Sequence, residues 1–118
     1  MEAQVPTFVP ILLLAGAAGL VYSFATIDRL VKAQYEFYRE AWMADGQPRG
    51  FFWRAPECTW FSSGLALHRL SLTWLFNTPA WAGGSASYRA LLKRLRLSVL
   101  LSSVLLVAAL IAIIGSLG

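Results

Sequence analysis

Two uncharged apolar runs, one towards each end, constrain this chain more than any other feature. No charged residue occurs from Gln4 to Ile27, and none from Leu97 to Gly118. Each run is longer than the ~18 apolar residues at which a helix becomes a membrane-spanning candidate. The rest of the chain agrees: 58% of its 118 residues are hydrophobic and only 14% are charged. Ordinary globular chains run near 45–50% and ~25%. This balance excludes a soluble enzyme fold and intrinsic disorder. Cys58 is the only cysteine, which excludes a disulfide scaffold and any Cys-pair metal site. On the reducing side of a membrane it is most simply a small hydrophobe. The expected fold class is an all-α membrane protein. It has one transmembrane helix over 5–27, a second over 97–117, and an aromatic-rich amphipathic helical segment between them over 28–96.

A secretory signal would need a basic start, a short apolar core and a small-residue cleavage site. Here Glu2 is acidic, the run is long, and Asp28, Arg29 and Lys32 follow it directly. The first run therefore reads as a retained helix. All ten Lys and Arg lie between the two runs, with Arg29 and Lys32 at one inner flank and Arg89, Lys93, Arg94 and Arg96 at the other. Cytoplasmic flanks are enriched in Lys and Arg within ~15–20 residues of a span. The expected topology has both termini outside and 28–96 cytoplasmic, in a bacterial inner membrane. The net charge of +4 then reflects contact with anionic headgroups. No basic arm suited to nucleic acid is present.

The 69 residues from Asp28 to Arg96 hold thirteen of the sixteen aromatics and all five Trp. Trp and Tyr favour the headgroup level, where an apolar ring and a polar tip are both satisfied. Much of this segment is therefore expected against the bilayer or a partner protein. A helix over about 28–44 has Val31, Tyr35, Tyr38 and Trp42 on one face, with Asp28–Lys32 and Lys32–Glu36 as opposite charges at i,i+4. Asp45-Gly46-Gln47-Pro48 ends it. Phe51, Phe52, Trp53 and Arg54 then suit an interfacial loop, with rings inserted and Arg on phosphate; Gly50 and Pro56 disfavour a long element there.

A second amphipathic helix is expected over 59–76. Ser62, Ala66, Arg69 and Thr73 form its narrow polar stripe, and Trp60, Phe61, Trp74 and Phe76 are among its apolar residues. Asn77-Thr78-Pro79 stops that helix, and Gly83-Gly84 reads as a joint carrying Trp81 just before it. From about Tyr88, after a Ser85 or Ser87 cap, a basic helix continues into the second span. Its Arg89, Lys93, Arg94 and Arg96 reach lipid phosphate, or alternatively an acidic partner.

Candidate chemistry is sparse. His68 is the only histidine. It is either one ligand of a pigment or cofactor shared with other subunits, or a hydrogen-bonding group at an interface. No catalytic pairing of carboxylates and no phosphate loop is evident, so enzyme activity, a metal and a cofactor of this chain's own are not expected. The spans carry no ionisable residue for an ion path. They do carry small residues suited to close helix packing, between the spans or with another subunit. These are Ala15, Gly19 and Ser23 in the first and Ser98, Ser102, Ala109, Ala112 and Ser116 in the second.

The stretch Tyr35-Glu36-Phe37-Tyr38-Arg39-Glu40-Ala41-Trp42, followed by Gly46, Pro48 and Phe51-Phe52, resembles the universal stress protein B family of small bacterial inner-membrane proteins. The Leu/Trp-rich helix to Phe76 and the Leu92-Lys93-Arg94-Leu95-Arg96 entry to the second span extend that resemblance. The resemblance implies one span at each end and an aromatic, basic cytoplasmic segment, with more Trp and fewer charges here than that family carries. It implies no functional residue. Three functional expectations follow. The first is a non-catalytic accessory subunit packed against a larger inner-membrane complex. The second is a stress-associated or regulatory membrane protein acting alone or as a homodimer. The third is a pigment- or cofactor-contacting subunit of an energy-transducing complex, resting on His68. Lipid and other membrane-protein subunits, or a second copy, are the expected partners.

Overall fold

The computed structural model describes residues 5–117; Glu2, the charge ahead of the first run, and Gly118 lie outside them. Among the described residues five helices follow one another: α1 (Phe8–Phe37), α2 (Arg39–Ala44), α3 (Ser62–Phe76), α4 (Ala80–Gly83) and α5 (Ala86–Leu117). The fold is all-α, with no strand among the described residues. Both α1 and α5 are long and apolar enough to cross a membrane. Only 17% and 11% of their most apolar stretches are buried, whereas the core helix of a soluble protein would be mostly covered.

Local chemistry sets the helix ends. Pro10 sits in the first turn of α1, where its missing N–H is one of the donors a helix start leaves unpaired anyway. The helix expected over 28–44 is interrupted at Tyr38, whose φ of −135° and ψ of 53° leave the helical region. The hydrogen-bond ladder still passes through it, from Tyr38 N–H to the Gln34 carbonyl and from Trp42 N–H to the Tyr38 carbonyl. α2 stops where the sequence places the stop. Gly46 takes a left-handed φ of +92°, and its N–H and that of Gln47 donate to the Met43 and Trp42 carbonyls. The Ser85 hydroxyl accepts from Tyr88 N–H at 3.4 Å and starts α5. α5 begins at Ala86, directly after Ser85, one of the two expected caps, and continues without a break to Leu117. The short helix α4 was not anticipated: Pro79 forms its N-terminal boundary in extended geometry and Gly84 closes it.

The chain divides into two compact units, one of residues up to Ser23 with those from Leu97 onward, the other of Phe24–Arg96. In the first unit α1 and α5 pack antiparallel. A methyl added at Gly16 would meet the Leu106 side chain at 2.7 Å, and one at Gly19 would collide with the Ser102 hydroxyl. Ser23 donates to the Gly19 carbonyl at 2.8 Å and shares a hydrogen bond with the Ser98 hydroxyl at 2.7 Å. Gly19, Ser23 and Ser102 thus lie in the contact between α1 and α5, and Ala109 is fully buried. Ala15 does not lie there, because it is exposed and Gly16 takes the contact. At about 100° per residue, 16, 19 and 23 span about 60° of arc, and 15 lies about 40° outside it, past Gly19. Ala112 is half-buried, at the edge of the contact.

The second unit has a core of its own. Ile27, Leu30 and Val31 of α1, Trp42 of α2, Leu67, Leu70 and Trp74 of α3, Ala82 of α4, and Leu92 and Leu95 of α5 are all buried. Two sequence expectations are corrected here. Trp42 and Trp74, read as membrane-interface residues, are each only 1% exposed. Trp42 Nε1–H donates to the Pro48 carbonyl at 2.9 Å, and the Trp74 ring meets Trp81 edge to face at 5.9 Å. Tryptophan suits both a core and an interface, and composition does not distinguish them.

Candidate functional site

Within the second unit, the loop that follows α2 is fixed by Asp28. Its Oδ1 accepts the Phe51 N–H at 2.5 Å and its Oδ2 accepts the Phe52 N–H at 2.8 Å. A side chain at residue 50 would strike that carboxylate, which is why glycine stands there. The expected Asp28–Lys32 pair is therefore replaced by a backbone clamp, and only Lys32–Glu36 is kept, as an exposed contact of 4.0 Å. An exposed pair of this kind contributes about 0–1 kcal/mol. Two backbone hydrogen bonds to one carboxylate are worth more, the partly buried one from Phe51 above all.

The clamp decides where the aromatic loop goes. Phe51 stacks on Phe24, with ring centroids 4.1 Å apart, and Phe52 lies 6.5 Å from the same ring. Trp53 packs edge to face on Tyr35 at 5.5 Å. Phe51 and Trp53 are thus half-buried against α1, while Phe52 and Arg54 face outward. Glu57 accepts the Tyr35 hydroxyl at 3.0 Å, and the Arg39 guanidinium covers the Tyr35 ring at 3.7 Å.

Further along the unit, Gln34 is fully buried and donates to the Asp45 carboxylate at 2.6 Å. The Asp45 carbonyl accepts from Arg69 at 3.3 Å. Tyr38, Trp74, Trp81 and Tyr88 form a ring cluster with centroid separations of 5.1–6.0 Å. Beside it an open cleft of about 500 Å³ is walled by α2, by α3 and by the connection that leads through α4. Ala41, Ala44, Asp45, Leu70, Trp74 and Trp81 are among its lining residues. A second groove of about 350 Å³ adjoins it, along Phe37–Ala41.

α3 starts at Ser62, not Thr59, so Trp60 and Phe61 lie in the turn that precedes it. Its polar stripe also differs from the expected one. Ser62, Arg69 and Thr73 are exposed, but Ala66 faces the core with Ser63, Leu67, Leu70 and Trp74. The exposed arc of α3 carries apolar residues as well: Leu65, Leu72 and Phe76, with Phe61 just ahead of the helix, and Phe76 is 81% exposed. His68 sits on this arc, its ring 6.1 Å from Phe51. Among the described residues no three His, Cys, Asp or Glu side chains group as metal ligands would.

The remaining expected interface residues separate into two sets. Phe52, Arg54, Trp60, Phe61, Phe76, Arg89, Lys93 and Arg94 are exposed. Trp81 is half-buried in the ring cluster. Arg96, expected on lipid phosphate, donates instead to the Trp74 carbonyl at 3.0 Å and to the Thr78 hydroxyl at 3.1 Å. The C-terminal carbonyls of a helix lack partners within the helix, and Trp74 lies in the last turn of α3, which explains this use of an arginine. Sequence reading missed Asp28 as a clamp and Gln34 as a core residue. The helical series Ile27, Val31, Gln34, Tyr38 carried the second signal; nothing local carried the first.

Comparison with protein-family models, curated proteins and solved structures found no match to this chain. Its two apolar helices fit a small membrane protein.

Proposed function

We propose that this chain is a non-catalytic accessory subunit that packs against a larger bacterial inner-membrane complex, with both termini outside and residues 28–96 cytoplasmic. The observation that carries this reading is the grooved surface around α2, where the clefts of about 500 and about 350 Å³ adjoin at Ala41. Phe37, which lines the smaller groove, and Met43 of α2 stand 70% and 56% exposed. Exposed large apolar side chains beside a cleft suit an interaction site, and Trp-walled pockets are where anchoring side chains of a partner gain most. The partner is another membrane protein that presents apolar side chains on its cytoplasmic face. The positive flanks Arg29, Lys32, Arg89, Lys93 and Arg94 support the orientation.

Extraction in mild detergent followed by native electrophoresis tests the role. The subunit comigrates with one large complex, and Ala44→Trp, at an exposed position lining the larger cleft, releases it. Migration of the unaltered protein at monomer or dimer mass would sink this reading in favour of a regulator acting alone or as a homodimer. A C-terminal reporter and a tag at 45–49 check the topology, with opposite sides of the membrane expected.

A further inference from the structure

We infer that α3 lies in the headgroup zone of the bilayer that the chain's own spans cross, with Phe61, Leu65, Leu72 and Phe76 dipped towards the acyl chains. Two tethers within the second unit fix its level. Phe51 is stacked on Phe24, which belongs to the uncharged run ending at Ile27, and His68 of α3 abuts Phe51. At the other end of α3, Arg96 holds the Trp74 carbonyl, and Arg96 is the last charge before the second uncharged run. α3 is therefore tied to the residues that bound each span.

Its rotation follows from the same contacts. At about 100° per residue, His68, Phe61, Leu72, Leu65 and Phe76 fall within roughly 80° of arc, and Arg69, Ser62 and Thr73 occupy the next 40° or so. The apolar part of that exposed arc begins at His68, beside Phe51 and hence beside Phe24. The polar part borders Asp45 and Gly46, since Arg69 donates to the Asp45 carbonyl and a methyl at Gly46 would meet Arg69 and Ala66 at 3.2 and 3.3 Å. So the apolar half lies beside Phe51 and Phe24, at the end of the first uncharged run, and the polar half beside Asp45 and Gly46. Exposed Phe52 and Trp60 extend the apolar half, and exposed Arg54 adds a cation suited to phosphate. The occupant that fits is lipid, because the surface is aromatic and aliphatic, edged by cations, and tethered where the hydrocarbon begins.

Site-directed spin labelling of the full chain in phosphatidylethanolamine–phosphatidylglycerol vesicles tests this. Single cysteines at Leu65, Leu72, Ser62 and Thr73, in a Cys58→Ser background, all lie at exposed positions, and retained helicity checks the fold of each. Labels at Leu65 and Leu72 should collide more with oxygen than with a water-soluble nickel chelate, and labels at Ser62 and Thr73 should show the reverse. Preference for the nickel chelate at Leu65 and Leu72 would overturn the proposal. Shielding of those two labels from both reagents would overturn it too, by showing that a second copy covers the face. The vesicles hold only this chain and lipid, so the outcome is independent of whether the native protein comigrates with a complex.

Discussion

The two units of this chain are both rich in apolar residues, yet they are held together in opposite ways. In the unit formed by the spans, glycine and serine make the contact: Gly16 and Gly19 against Leu106 and Ser102, and Ser23 against Ser98. The large side chains Ile11, Leu14, Leu100, Leu101 and Ile111 face outward. In the unit of Phe24–Arg96 the arrangement is reversed, with Trp42, Trp74, Leu30, Leu67 and Leu92 inside. The difference is the one that lipid around the first unit and water around the second would produce. Lipid is as apolar as leucine and gives no drive to bury it, so helices in lipid associate through close backbone approach. Water does drive burial, at roughly 25 cal/mol per Å² of apolar surface, so the larger rings form the core. Exposed leucine is ordinary in the first unit. In the second, exposed Trp60, Phe61 and Phe76 demand a covering phase.

The sharpest way to break the contrast is to empty the aromatic core. Trp74→Ala should cost the second unit roughly 3–5 kcal/mol, as for other large-to-small core changes. Near-ultraviolet circular dichroism should show its ring signal lost at a lower temperature, while disulfide trapping of Ser23→Cys with Ser98→Cys is unaffected. Loss of trapping as well would mean the units do not stand independently.

Next in size is the clamp. Asp28→Ala leaves the Phe51 and Phe52 N–H groups without their acceptor, at about 1–3 kcal/mol for the partly buried Phe51 N–H and less for the exposed Phe52 N–H. Faster amide exchange at those two residues and easier proteolysis within 49–58 are expected, with Asp28→Asn intermediate because one acceptor oxygen remains. Unchanged exchange would show that ring stacking alone holds the loop.

In the span unit, Gly19→Ala places a methyl against Ser102 and should weaken helix pairing by roughly 1–3 kcal/mol. Gly115→Ala, where nothing lies within 4 Å, should be silent. Trapping efficiency of the 23–98 pair reads both. Equal effects would point to general helix propensity as the cause, not close packing.

The smallest effect on folding is expected at the α3 surface. Leu72→Glu leaves the core intact because Leu72 is exposed, so thermal stability in detergent should change by about 0.5 kcal/mol or less. In vesicles the same change should release α3 from the interface, read as loss of quenching of Trp60 by brominated lipid. Arg69→Gln, on the polar side, should leave quenching as it was.

The local elements were largely legible because their causes are local. Run length and the absence of charge specify two spans, and Gly46 and Asn77 stop α2 and α3 through their own backbone geometry. What the sequence determined by itself is the class of the fold, the place of the two long apolar helices and the points where α2 and α3 stop. The tertiary structure alone decided which aromatics go inside. Trp42 and Trp60 are the same residue type, yet one is 1% and the other 76% exposed, because burial depends on which helix face meets a neighbour. It alone paired Asp28 with backbone 23 and 24 residues away, put Gly16 in the helix contact in place of Ala15, and turned Arg96 to the end of α3. Each of these joins residues distant in the chain, and only packing brings such residues together.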